Sequence, residues 1–259
     1  MFVVLVCLAH SIILSQEWHP DFYSVERNGQ TRQMIHALKE LPKLELHGDE
    51  RVLDVGCGNG QITHYIAQHF LTKGSIHGID NAHAMIDKAI HTYKHDNLSF
   101  ACKSLFDNST ELYDAVVCFW VLYLFEDYQS ALESVMKNLK PGGKALICHN
   151  IYPGPPFLQL YKKYYPLQVP LTLPTLDKIM SAVKNTHVSI EYLEVKYNYD
   201  RYNNLDEFLE TMKKVPFFKM LHMEAEAQFY QELQIAYSPD AKGFIYDYSL
   251  VICLVLKKL

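Results

Sequence analysis

The sequence predicts an α/β protein built on a parallel sheet with helices on both faces. Two observations lead there. Short apolar runs alternate with stretches of helical periodicity, joined by short turns. The first such unit, Arg51–Thr63, reads R-V-L-D-V-G-C-G-N-G-Q-I-T. Val52, Leu53 and Val55 suit a strand buried on both faces, and Gly56, Gly58 and Gly60 follow at once, before a helical pattern begins at Gln61.

In chain order, Glu17–Tyr23 (E-W-H-P-D-F-Y) is aromatic-rich and carries Pro20, so it reads as a docking segment and not a helix. Met34, Ile35, Leu38 and Leu41 recur at helical spacing over 30–41 until Pro42 stops them. Strands follow at 51–55, 75–79, 98–102, 114–119 and 143–149, with helices near 61–71, 82–93 and 127–139. In Leu139–Gly143, L-K-P-G-G, the proline and paired glycines end a helix and turn into the last of these strands. Beyond Asn150 the chain is rich in proline and tyrosine, and 152–174 reads as a loop and short helix over the ligand end of the sheet, with Tyr152, Tyr161, Tyr164 and Tyr165 in it. A helix at 175–184, a strand at 188–197, helices at 205–214 and 222–236 and a strand at 244–255 complete the chain. The domain expectation is a hydrophobic extension at 1–16 and one domain at 17–259, with cap elements at 152–174 and 205–237.

Three glycines at alternating positions remove Cβ atoms where a backbone approaches a ligand, and the following helix offers unpaired N–H groups. A nucleotide-like ligand fits such a turn. A dinucleotide fingerprint would need glycine where Gln61 stands, and no G-K-[ST] phosphate loop is present. Asp54, inside the strand, suits a cation better than a phosphate. Asp80 closes the next run as G-I-D, where an acid accepts hydrogen bonds from ribose hydroxyls.

A formal net charge of −5 provides no broad basic field, so no nucleic-acid partner is expected. The six cysteines lack C-x-x-C spacing and several fall in buried strands, as in a reducing compartment, and a cytoplasmic location is expected. The thirteen histidines lack ligand spacing, so no metal is expected. The apolar run Phe2–Leu14 is short of the roughly 20 residues that span a bilayer and lacks a basic start. Three readings of it stand: an extension outside the domain, a signal or membrane anchor, and a packed element. Membrane contact through it is not favoured.

Together, D-V-G-C-G-N-G and G-I-D resemble the signature of class I methyltransferases that use S-adenosylmethionine. E-W-H-P-D-F-Y and the helical insertion before the last strand resemble the trans-aconitate and juvenile hormone acid methyltransferase branch. The resemblance implies a Rossmann-like, seven-stranded, mostly parallel sheet of order 3-2-1-4-5-7-6 with the seventh strand reversed and a helical lid before it. It implies S-adenosyl-L-methionine as cofactor, held by Asp54, Gly56, Cys57, Gly58, Asn59, Asp80, Asn81, Met85, Ser104, Leu105 and Phe119. Relatives carry an acid where Ser104 stands. In the juvenile hormone branch a glutamine and a tryptophan meet the substrate carboxylate; Gln30 matches the first, Leu124 stands at the second, and Trp120 or Trp18 offers an indole from elsewhere.

The expected reaction is O-methylation of a small, partly apolar carboxylic acid, with Gln30, Trp120, Tyr123 and His149 at the catalytic end and Tyr23 and Tyr152 beside them. A carboxylate is ionised at neutral pH and requires no general base. An amine or phenol would more often need one, for which His149 is the candidate against its role as a core histidine. Binding of the cofactor or its demethylated product without turnover, and an amine, phenol or macromolecular acceptor, remain alternatives.

Overall fold

The computed structural model describes residues 29–108, 110–164, 173–212 and 223–259. The run 2–14, Trp18, Tyr23 and Tyr165 lie outside the described residues. The first half comprises α1 (Gly29–Glu40), β1 (Arg51–Val55), α2 (Gln61–His69), β2 (Ser75–Asp80), α3 (His83–Thr92), β3 (Leu98–Cys102), β4 (Tyr113–Phe119) and α4 (Tyr128–Lys137). Then come β5 (Leu139–Ile151), α5 (Pro156–Tyr164), α6 (Leu176–Lys184), β6 (Val188–Tyr202), α7 (Leu205–Met212), α8 (Met223–Ala236) and β7 (Ile245–Lys258). The strands form one sheet in the order 3-2-1-4-5-7-6. β1 to β5 pair in parallel, and β7 runs antiparallel between β5 and β6.

Strands buried on both faces generate two cores from one sheet. On one face Leu53, Val55, Val116, Ile147 and Leu254 pack against Leu132 and Val135 of α4 and Ile179 and Val183 of α6. On the other, Val52, Ile76, Val117, Leu146 and Val255 pack against Ala37 of α1, Leu41, and Ile66 and Ala67 of α2. Capping fixes where the helices begin: the Asp127 carboxylate accepts the Ser130 N–H (3.1 Å), and the Thr175 hydroxyl accepts that of Lys178 (3.2 Å).

Two boundaries differ from the sequence reading. L-K-P-G-G is not a turn ahead of the strand but part of β5, where pairing with β4 shifts register between Tyr113 and Ala115. Gly143 belongs there because a Cβ would meet the Asp114 carbonyl oxygen at 2.8 Å. β6 continues past 197 to Tyr202 because its pairing with β7 reaches Ile245, forming a ribbon beyond the last β5 pair, Ile151 with Leu250.

The two expected cap segments meet in a third core. Phe157 and Tyr161 of α5, Phe208 of α7, Phe229 and Leu233 of α8, and Tyr202, Tyr237 and Ile245 pack together. The buried Tyr237 hydroxyl accepts the Phe157 N–H (2.8 Å) and donates to Asp247 on β7, tying the cap to the ribbon. Among the described residues no helix is long and apolar enough to cross a membrane.

Candidate functional site

The carboxyl ends of β1, β2, β4 and β5 carry the expected site, as in other open α/β sheets. Gly56, Gly58 and Gly60 all hold positive φ, at 71°, 53° and 81°. The Gly56 and Cys57 N–H groups both donate to the Ile79 carbonyl, at 2.8 and 3.0 Å, which moors the turn to β2. The three glycines do different work, contrary to the expectation that all face a ligand. A Cβ on Gly56 would lie 2.2 Å from Val121, and one on Gly60 would lie 2.6 Å from Phe100 and 2.9 Å from Ala89. On Gly58 it would meet nothing within 4 Å among the described residues. Gly56 and Gly60 therefore admit protein neighbours, and Gly58 alone leaves backbone open to a ligand.

Asp80 faces that opening. One carboxylate oxygen accepts the Gly58 N–H and the other the Ala82 N–H, both at 2.9 Å. The Asn81 N–H is a third donor to it, and of the roughly four lone-pair sites of an ionised carboxylate about one remains, which suits a ribose hydroxyl. Burial raises its pKa, and the N–H donors of Ala82, Gly58 and Asn81 pull it back. The open Gly58 face and this carboxylate beside it fit the nucleoside portion of S-adenosylmethionine.

The sequence matches the methyltransferase domain family over residues 46–224. The chain belongs to this family. It is a class I S-adenosylmethionine-dependent methyltransferase domain. It is 27% identical over 135 residues to trans-aconitate 2-methyltransferase of Pseudomonas aeruginosa, covering 50% of this chain and 46% of the relative. It is 23% identical over 201 residues to malonyl-[acyl-carrier protein] O-methyltransferase of Acetivibrio thermocellus, covering 71% and 70%. It spans about half the length of several other curated relatives. The fold resembles the YcgJ protein of Bacillus subtilis at TM-score 0.66 and 17% identity, over 86% of this chain and 98% of that one.

The remaining cofactor candidates of this methyltransferase domain separate into packed and accessible groups. Asp54 is buried (2% exposed) and accepts the Thr63 hydroxyl at 2.7 Å, which pins β1 to α2. Burial pushes its pKa up to about 7, with the Thr63 bond opposing and the charge of Asp80 adding to the rise. Cys57, Met85, Leu105 and Phe119 are buried, and the Cys57 thiol, pushed up by burial, lies against Gly78. Asn59 accepts the Gln61 N–H (3.3 Å) at the start of α2, and the Asn81 carbonyl accepts the Cys102 thiol (3.7 Å). The Ser104 hydroxyl accepts the Phe106 N–H (3.2 Å), while the Ser104 N–H donates to Asp107 (2.9 Å), so both groups close the turn after β3. A cleft of about 490 Å³ lies between Arg51, Ser75, Leu98 and the segment after β3, with Ser104 and Leu105 in its lining and none of the turn glycines among its lining residues.

Trp120 follows β4 in a left-handed conformation (φ 56°) that bulky residues rarely adopt. Its N–H donates to the Cys148 carbonyl (2.7 Å), and its indole N–H donates to Asn150 Oδ1 (3.3 Å). Tyr123 packs against both the α1–α2 core and the cap core, and burial pushes its pKa up to about 12. Its hydroxyl makes no hydrogen bond among the described residues. His149 is fully buried, its ring centroid 6.1 Å from that of Tyr123, and burial lowers its pKa to about 4. Its Nδ1 lies 2.9 Å from the Asn150 carbonyl, an acceptor, so Nδ1 carries the proton and Nε2 accepts the Tyr128 hydroxyl at 2.8 Å. Both ring nitrogens are engaged within the protein. Gln30 lies on α1, and its side chain is outside the described set; Tyr152 is exposed. Asn150 escaped the sequence reading because nothing in H-N-I-Y marks which strand-end residue reaches β4.

The raised Asp54 pKa has a sign that can be checked. An unfolded aspartate ionises near pH 4, whereas the native one holds its proton to about pH 7, so the native state binds more protons between these limits. Asp54 therefore favours folding most at low pH, and that contribution is lost as pH rises to about 7. His149 works in the opposite direction between pH 6.5 and about 4. Denaturant melts of Asp54→Asn and wild type should converge at pH 4 and diverge by pH 8 in favour of the variant, by on the order of 4 kcal/mol. A constant difference between the two pH values would contradict the assignment.

Proposed function

We propose that this domain methylates an oxygen of a small, partly apolar carboxylic acid. The observation that carries this reading is the state of His149, whose two ring nitrogens are bonded within the protein and whose basicity is depressed by burial. An acceptor that is already ionised makes such a site sufficient, and carboxylates are ionised at neutral pH. The printed names of two relatives, trans-aconitate 2-methyltransferase and malonyl-[acyl-carrier protein] O-methyltransferase, agree with an acidic acceptor. The apolar cap core and its contact with Tyr123 favour a partly apolar one.

S-adenosylmethionine, when bound, supplies a sulfonium methyl that passes to the carboxylate oxygen, the S–C electron pair returning to sulfur with no proton moved. The chain's part is alignment and exclusion of water. Gly58 admits the cofactor to the backbone and Asp80 accepts a ribose hydroxyl. Tyr123 stays protonated, its pKa raised by burial, and packs between the sheet and the third core. Thr63 holds Asp54 in place beneath the turn.

Calorimetric titration of the full chain with S-adenosylmethionine, followed by a methyl-release screen on carboxylic acids and the amines and phenols of matching skeleton, tests the reading. Binding with turnover of acids is expected. Turnover of amines alone would overturn the acceptor class, and binding without any turnover would overturn the enzymatic reading.

A further inference from the structure

The Trp120–Asn150 hydrogen bond determines more than the spacing of two strand ends. An indole N–H only donates, so the Asn150 atom facing it must be the carbonyl oxygen, and the amide orientation is settled by chemistry. The carboxamide NH2 group then points away from Trp120. It has no partner among the described residues, and Asn150 is half-buried. Strand alternation sets its direction. Cys148 lies in the α1–α2 core and His149 contacts Tyr128 of α4, so Asn150 projects to the same face as Cys148. Trp120 and Tyr123 pack on that face too, and Val121 between them covers Gly56 of the cofactor turn. A neutral amide donor thus stands at the carboxyl end of β5, one strand from the glycine turn's own neighbour β4, held by a tryptophan in a strained backbone conformation.

We propose that Asn150 is the residue that selects the acceptor: its NH2 group, oriented by the Trp120 indole, donates to the acceptor's carboxylate. The proposal rests on the carboxylate reading above. A carboxamide donor favours an anionic acceptor over a cationic one at the same position, because a protonated amine has no acceptor to offer it. Trp120 is a positioning residue in this arrangement and acts through Asn150.

The test compares wild type, Asn150→Asp and Asn150→Ala as full chains. Binding of octanoate, decanoate and phenylacetate, and of octylamine, decylamine and phenethylamine, is measured by calorimetry in saturating S-adenosylhomocysteine. S-adenosylmethionine affinity serves as the check that each variant is folded. Asn150→Asp preserves shape but turns the donor into an acidic acceptor, so acid affinity should fall at least about tenfold, more than in Asn150→Ala, while amine affinity rises. A merely structural role would lower acids and amines alike, and that result, or unchanged acid binding, overturns the proposal while leaving the carboxylate reading intact. Wild-type binding of amines and none of the acids would overturn both. If Asn150→Asp fails to fold, Asn150→Ala must still lose acid affinity selectively, or the proposal falls.

Discussion

Asp80→Ala should lower affinity for S-adenosylmethionine on the order of 100-fold, with a smaller effect on stability. The carboxylate holds the Gly58, Ala82 and Asn81 N–H groups and has a lone pair left for a ribose hydroxyl. A hydrogen bond to a charged acceptor contributes about 1.5–3 kcal/mol, so losing one accounts for an effect of this size. The stranded Gly58 N–H sits at the half-buried turn, where water can reach it, whereas Ala82 is buried and its N–H accounts for the loss of stability. Asp80→Asn provides the finer comparison: it keeps the shape but sets an NH2 group against one of the N–H donors, so it too should bind poorly. Calorimetry reads affinity and thermal melting reads stability. Unchanged affinity in Asp80→Ala would remove the ribose assignment.

The second large effect is a contrast between two glycines two residues apart. In Gly56→Ala the new Cβ would lie 2.2 Å from a Val121 methyl at a φ of 71°. Overpacking costs about 1–3 kcal/mol and the left-handed conformation about 1–2 kcal/mol more. Thermal melting should fall by roughly 2–4 °C per kcal/mol for a chain of this size. In Gly58→Ala no described residue lies within 4 Å, so only the conformational part, about 1–2 kcal/mol, applies to stability. The same Cβ enters the face left open for the cofactor, and affinity should fall at least about tenfold, or about 1.4 kcal/mol. If Gly58→Ala bound S-adenosylmethionine as wild type does, the open face would not be the cofactor's.

Much of the architecture was legible in the chain because its signals are local. Doubly buried strands read as continuous apolar runs, and helices carry their own 3.6-residue period, so the order of elements follows from pattern alone. The misread stretches are those where pairing overrides local preference. Pro141, Gly142 and Gly143 look like a helix stop, yet ladder contacts with β4 draw them into β5 as an irregularity. β6 outruns its own apolar pattern because β7 continues to pair with it.

The site shows the same division. Asp54, Gly56, Gly58, Gly60 and Asp80 stood out because a short strand, turn and helix needs those residue types at that spacing. Which glycine faces a ligand did not, since Val121, Phe100 and Ala89 reach the turn from distant parts of the chain. The state of His149 was equally hidden, because its basicity depends on burial and on Tyr128 across the α4 interface.

By itself, then, the sequence determined the class of fold, the glycine turn and the two acids beside it, all of which are encoded within strand–turn–helix units. Tertiary structure alone decided which groups at the strand ends are consumed by the protein and which remain for an acceptor. The physical reason is that hydrogen-bond saturation and desolvation are properties of neighbours, and residues 120, 123, 149 and 150 become neighbours only when β4, β5 and the cap have packed.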